Sequence, residues 1–347
     1  MFAPQSEQSG AGCLDAARQS LCWLLSQQRE DGGWKPLENP PIDAFYKVAW
    51  PLSLMGEAAA AHRTLNYVEE HLFDADGDFS PRVHPWFKEV HHLYANAYVV
   101  IGAQKLERYG MVTRALDFLL SQQDRRHGGF YSMKTAVGDT NRCDTMSTGI
   151  CGIACLATGE IEAAEAAASS LRRMIETQPA PQERFYTTVE ADGELGTEFP
   201  SDQAFWRVID TSQQDQCWYA VGLPFVLSIL LHQATGAAAY AELADWFFDF
   251  QSRCVNPWDG GSSGKAAWGC SILYRLTGEE RYRDIALHVA QNIVDCQTPD
   301  GWYQGMGGAG YTDGETKVFG PGDFDLAAEY TLWLGLIGSN LLAREQT

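Results

Sequence analysis

Leu24-Leu-Ser-Gln-Gln-Arg-Glu-Asp-Gly-Gly-Trp34 returns further along the chain as Leu119-Leu-Ser-Gln-Gln-Asp-Arg-Arg-His-Gly-Gly-Phe130. Each stretch is the end of an amphipathic helix, a polar break, and a glycine turn closed by an aromatic ring. Weaker copies stand at Asp76-Gly-Asp-Phe79, Gln178 to Tyr186, Gln251 to Gly261, and Gln297-Thr-Pro-Asp-Gly-Trp-Tyr303. A second marker falls between them: Ala157-Thr-Gly-Glu160, Ala234-Thr-Gly-Ala237 and Leu276-Thr-Gly-Glu279 each end one apolar helix and precede another. Glycine there suits the left-handed residue that closes a helix C-terminus. A recurring unit of this kind signals a repeat architecture.

Each unit therefore reads as helix, capped turn, second helix, and a loop with the Gly-aromatic signature. The first helices are expected at Asp43–Gly56, Val90–Ala103, Asp144–Thr158, Asp215–Thr235, Gly264–Thr277 and Phe324–Leu342. The second helices are expected at Ala59–Leu72, Met111–Gln122, Ile161–Thr177, Ala238–Cys254 and Glu280–Cys296. The last unit lacks its second helix, and Leu14–Gln28 supplies it if the ends of the chain meet. The expected fold is all-α: a single (α/α)6 barrel, or toroid, of six helical hairpins over residues 1–347, with 1–12 flexible. An open solenoid is the competing arrangement. Only Arg184–Ala191 and Gly305–Val318 suit short hairpin-like strands. First helices such as Ile150-Cys-Gly-Ile-Ala-Cys155 are apolar nearly all round, as an inner wall should be, whereas Glu280 to Ala290 keeps one polar face.

The 347 residues carry 25 Lys+Arg and 45 Asp+Glu, a formal charge of −20, and are 45% hydrophobic. That composition builds a large core. Without a Lys/Arg run it argues against nucleic acid and anionic membrane as partners. No apolar run approaches the ~20 residues of a membrane span, and Met1 to Gly12 lacks a signal-peptide layout. The nine cysteines form no CxxC pair, which points to free thiols in a reducing cytoplasm.

The Gln-x-x-Asp-Gly-Gly-Trp ending, repeated around a ring of hairpins, resembles the terpenoid cyclase and protein prenyltransferase superfamily. Sugar-processing (α/α)6 barrels share the layout, and Gly264 to Tyr282 looks like parts of those enzymes. Protonating terpenoid cyclases carry Asp-x-Asp-Asp-Thr; here Asn141-Arg-Cys-Asp-Thr145 matches only at Asp144 and Thr145, with Cys143 at the acid's position. Zinc prenyltransferases carry Asp-x-Cys and a distant His. Asp215-Gln-Cys217 fits the first part, but Asp323 to Tyr330 has no His. Neither a metal nor another cofactor is therefore expected.

The N-terminal ends of the inner helices should surround the barrel mouth. The carboxyl and imidazole groups there, Asp144, Glu329, His92 and Asp215, are the candidate catalytic residues. Asp144 and Asp215 equally suit N-caps. Glu329 lies inside a helix one turn above Asp325, where a carboxylate must be paired or protonated. Adjacent helical residues point about 100° apart, so at most one of His91 and His92 faces the cavity. Tyr46, Trp50, Tyr94, Arg142, Trp218, Tyr219, Lys265, Trp268, Asp325 and Tyr330 are the candidate substrate-binding residues. Their aromatic faces suit either a carbocation or a sugar ring.

The apolar runs at Ile150 to Leu156, Pro224 to Leu231 and Leu332 to Ile337 suggest an apolar floor. The expected function is a metal-independent cyclase or isomerase acting on a small, largely apolar terpenoid- or polyketide-like precursor by carboxyl acid/base chemistry. The alternatives are a carbohydrate-active enzyme, either glycoside hydrolase or sugar epimerase, and a non-catalytic ring that binds a ligand or a protein. Polar groups reaching the cavity floor would favour sugar.

Overall fold

The computed structural model describes residues 9–134, 142–304, 312–313 and 316–346; the glycine-rich loop Gly305–Gly310 and most of the Gly305–Val318 segment lie outside them. The helices are α1 (Gly10–Gln27), α2 (Ala49–Leu54), α3 (Ala58–His71), α4 (His92–Lys105), α5 (Tyr109–Ser121), α6 (Thr145–Thr158) and α7 (Ile161–Glu176), followed by α8 (Ala204–Arg207), α9 (Tyr219–Thr235), α10 (Ala238–Arg253), α11 (Gly264–Thr277), α12 (Glu280–Asp295) and α13 (Pro321–Glu345). Helices α2, α4, α6, α9, α11 and α13 each touch the next, and α13 returns to α2. Outside this inner ring lie α3, α5, α7, α10, α12 and α1, each packed on its inner partner. The fold is an (α/α)6 toroid, closed where α1 packs along α13. Helix α1 starts at Gly10, so the last three of the residues expected to be flexible are helical.

Local chemistry explains the two layers. The inner helix α4 is buried from His92 to Ala103, and α6 from Thr145 to Cys155, because each is covered on both sides. The outer helix α7 buries Ala164, Ala167, Ala168, Leu171 and Met174, a spacing that lines one face. Helices α6, α9 and α11 end on Gly159, Gly236 and Gly278 in the left-handed conformation, as the Thr-Gly markers suggest.

Four of the Gly-aromatic loops fasten an outer helix to the next one round the ring: α1 to α3, α3 to α5, α5 to α7 and α12 to α1. Gly32, Gly77, Gly128 and Gly301 all have positive φ, between 78° and 96°. A Cβ on each would lie 2.0–2.4 Å from a main-chain oxygen of the following outer helix: Arg63 in α3, Arg114 in α5, Ala166 in α7 and Gln19 in α1. Only glycine allows both that conformation and that approach. The preceding glutamine donates to the same neighbour: Gln28 to Ala60 O, Gln123 to Ala163 O and Gln297 to Ala16 O, at 2.9–3.0 Å. The closing rings Trp34, Phe79, Phe130 and Tyr303 are buried. The last of these loops grips α1, so the same contact that spaces the repeats also closes the ring.

Three expectations are corrected. Helix α9 begins at Tyr219, and Asp215 is an exposed loop residue at φ 55°, so it caps no helix. Instead of one helix, Asp43–Gly56 forms a single 3-10 turn at Ile42–Ala44 and the short α2. Residues Arg184–Ala191 do not fold on themselves. They split into two strands that pair separately with Val208–Asp210 and Cys143–Asp144. The long connection between α7 and α9 thus lies back over the start of α6. Among the described residues no helix is long and apolar enough to cross a membrane, and the nine cysteines are free.

Gly56 supplies a control for the loop glycines, since it has φ 89° but nothing within 4 Å of its would-be Cβ. Gly56→Ala should cost about 1–2 kcal/mol, the left-handed penalty alone. Gly77→Ala should cost ~1–3 kcal/mol more, the overpacking penalty. Urea unfolding of both variants checks this; equal losses would mean that the close approach to Arg114 contributes nothing.

Candidate functional site

All six inner elements and one loop line a cavity of about 270 Å³ at the N-terminal end of the inner ring. Tyr46 and Lys47 come from the turn before α2, Tyr94 from α4, Met146 from α6, Tyr219 from α9 and Lys265 from α11. Helix α13 adds Asp325, Glu329 and Tyr330, and the 84–87 loop lays His84, Trp86 and Phe87 across the opening. Asp43 fixes that loop by accepting from the main-chain N–H of Val83 and His84.

The floor is charged. Lys47 and Lys265 are 2% and 1% exposed, far from the usual solvated state of a lysine. Both ammonium groups contact Glu329, one at each carboxylate oxygen. Lys47 Nζ also lies 2.8 Å from Asp325 Oδ1. The Trp333 indole N–H donates to Glu329 Oε1 at 3.1 Å. Aromatic faces complete the cage: Lys47 Nζ is 4.8 Å from the Tyr46 ring, and Lys265 Nζ is 4.7 Å from Tyr219 and 5.1 Å from Trp333. Beneath lies a packed aromatic plug in which Trp268 meets Trp50 at 5.6 Å and Trp333 at 5.8 Å.

Burial and charge divide the four groups. Burial alone would raise Glu329, but Lys265 and Lys47 outweigh it and hold the carboxyl well below the usual range. Burial raises Asp325; Lys47 opposes the rise and the charge of Glu329 adds to it. Burial depresses Lys265 despite Glu329, with Lys47 adding like-charge repulsion. Lys47 stays above the ordinary lysine value, because Asp325 and Glu329 together exceed its burial cost. Burial also pushes the Tyr46, Tyr94 and Tyr98 phenols well up, keeping them protonated donors. Two carboxyl groups driven apart in this way mark a potential acid/base pair.

The structure gathers seven of the sequence candidates in this cavity: Tyr46, Tyr94, Tyr219, Lys265, Asp325, Glu329 and Tyr330. Trp50 and Trp268 lie in the plug below, and Trp218 is buried beside α9 without lining the cavity. Asp144 caps α6, accepting from Ser147 N at 2.7 Å, and lines a neighbouring cavity with Arg142. His92 Nε2–H donates to Asp78 Oδ2 at 2.9 Å, in a buried network with Arg82 and Asn96 under the Asp76–Phe79 loop. Asp215 lies on an exposed surface groove. Lys47, Trp86, Phe87 and Trp333 were not among the candidates. The available signal for Lys47 was a lone cation in the otherwise apolar Ala44 to Leu52.

The Asp215/Cys217 pair does not gather a metal donor set: among the described residues no three His, Cys, Asp or Glu side chains cluster as ligands. No protein-family model matches the chain, and no curated protein does. Solved structures do. A D-mannose isomerase superposes with TM-score 0.70 at 10% identity, covering 96% of this chain and 99% of its own. A GH76 alpha-mannanase from Bacteroides thetaiotaomicron gives 0.66 at 14%, covering 95% and 97%. The type II terpene cyclase MstE from Scytonema gives 0.59 at 10%, covering 95% and 98%. These likenesses establish the toroid; they span three chemistries.

The folded carboxyl of Glu329 is depressed, so its stabilisation is present above the unfolded Glu value of about 4.3. It is lost as pH falls through the lower folded value. The stability gap between wild type and Glu329→Gln should therefore be flat from neutral pH to about 5 and shrink below about 4. Denaturant titrations at several pH values check this; a gap independent of pH would place Glu329 outside the ion cluster. Lys47→Met strands buried carboxylates and should cost about 3–5 kcal/mol.

Proposed function

We propose that the cavity binds a small sugar and moves a proton on it, as a sugar isomerase or epimerase does, within a single toroid domain spanning the chain. The supporting observation is the Lys47–Glu329–Lys265–Asp325 cluster on its floor. Polar groups reach the full depth, against the apolar floor expected from sequence, so a polyhydroxylated ligand is favoured over a hydrocarbon-like precursor. The apolar runs of α6, α9 and α13 instead pack between layers, below the cavity.

Charge selects the reaction type. Carbocation cyclisation and glycoside hydrolysis both pass through positively charged transition states. Asp325 and Glu329 balance the two ammonium groups overall, but a ligand atom held against the ammonium groups themselves meets positive charge, which opposes such a transition state. The same ammonium groups stabilise the negative charge that grows on a carbonyl oxygen when a neighbouring C–H is deprotonated. The hydrolase reading also needs carboxyls on either side of a scissile bond, whereas Asp325 and Glu329 project one turn apart from one helix. In this reading Asp325 accepts the proton from the carbon beside the sugar carbonyl. The C–H electron pair forms the enediol double bond and the carbonyl pair moves onto oxygen, which Lys265 and Lys47 hold. If the neighbouring hydroxyl passes its proton to that oxygen and the carbon proton returns to the former carbonyl carbon, a new carbonyl forms one position along and the sugar is isomerised; if the proton returns instead to the opposite face of the carbon it left, the carbonyl re-forms and the sugar is epimerised. A raised carboxyl is the stronger base for this step, and Glu329 stays ionised to position both lysines. The solved structures include a D-mannose isomerase among toroids of the same layout, which fits this reading.

Incubation with aldoses and ketoses in D2O should place deuterium on the carbon beside the carbonyl. Asp325→Asn should slow that exchange by about 10²–10⁴-fold. Glycoside cleavage or terpenoid cyclisation without sugar exchange would contradict the reading.

A further inference from the structure

A second cavity, also of about 270 Å³, adjoins the first. The same inner helices serve both. The start of α4 sends Tyr94 to one and His91 to the other, and the start of α6 sends Met146 to one and Asp144 to the other. Trp86 is the shared wall. It lines the first cavity, and its ring packs 5.5 Å from His91 and 6.2 Å from Trp206, both of which line the second.

This cavity is a built site with unfilled hydrogen bonds. His91 is 2% exposed, and among the described residues neither ring nitrogen has a hydrogen-bond partner; Nδ1 lies 3.4 Å from Asp144 Oδ2. Arg207, 3% exposed, and Arg142 share one carboxylate, Glu190; Arg142 reaches it through Nε at 3.2 Å, and among the described residues Arg207 leaves its Nε without a partner. Buried polar groups in native proteins are normally satisfied. The wall offers donors (the guanidinium groups), acceptors (Asp144, Asp202) and an indole plate. Its charges balance closely enough to disfavour a strongly charged ligand. Hydroxyl groups, which both donate and accept, fit such a wall, and a ring with C–H faces fits the plate.

We propose that this cavity is a subsite for a second sugar ring, linked to the ring in the lysine-floored cavity, with Trp86 as the divider between them. The inference rests on the carbohydrate reading above and narrows it: the preferred substrate has two rings. Each cavity alone is smaller than the ~300–1,000 Å³ usual for a drug-sized ligand, as one ring per cavity requires.

Calorimetric titration with glucose, mannose, and their β-1,4- and α-1,6-linked dimers tests this. The wild-type protein should bind at least one dimer roughly tenfold more tightly than either monomer. His91→Leu and Trp206→Ala should each remove that advantage while keeping the monomer Kd within about twofold. If either variant melts below wild type, Gln203→Ala, on the same wall, replaces it. Equal affinity for monomers and dimers, or parallel losses for both in the variants, overturns the subsite and leaves the one-ring reading standing. Binding of none of these sugars overturns both.

Discussion

Two lysines removed from water at the centre of a protein must have carboxylates within reach, and here one helix supplies both. Lys47 precedes α2, Lys265 belongs to α11, and Asp325 and Glu329 project from α13, which lies between those two helices in the ring. The ion cluster therefore sits on the seam where the chain closes on itself. Without closure, the lysines would face a gap. Without the carboxylates, two buried ammonium groups would oppose closure. The Gly-aromatic loops secure the outer ring by a different device, glycine against a neighbouring carbonyl, and the last of them fastens α12 to α1 at the same seam.

The fold was legible because its signal is local and repeated. Gln-Gln-x-x-Asp-Gly-Gly-Trp encodes a contact that recurs around the ring, so one copy explains the others. The site was legible only in part. Glu329 stood out as a carboxylate inside an apolar helix, and Lys265 as a cation near the start of one. Lys47 did not, since its partner lies 282 residues away and the turn that carries it is not helical. The two histidines show the same limit. The expected 100° divergence supposes that both lie in one helix, whereas α4 begins at His92 and His91 precedes it in a non-helical conformation. His91 reaches a cavity, and His92 faces Asp78 because the preceding loop folds over it. Asp215 was misplaced for want of any marker that the 177–218 connection folds back before α9 starts.

Fold and chemistry separate cleanly in this protein. Toroids that superpose on it over nearly their whole length include an isomerase, a mannanase and a terpene cyclase, so the scaffold alone selects none of these. In the proposed reading the selection comes from the charge that the ligand meets on the cavity floor: two lysines and one firmly ionised carboxylate would hold an anionic intermediate and Asp325 would take the proton, while the aromatic rings around the floor already face the lysines' own cations.

That sign can be measured directly. A sugar hydroxamate mimics an enediolate, and an iminosugar of the same ring size mimics an oxocarbenium ion. Calorimetry of both against the wild-type protein at neutral pH should show the hydroxamate binding at least about tenfold more tightly, with the preference lost in Lys265→Met. Tighter binding of the iminosugar would mean that the floor stabilises positive charge and would contradict the account.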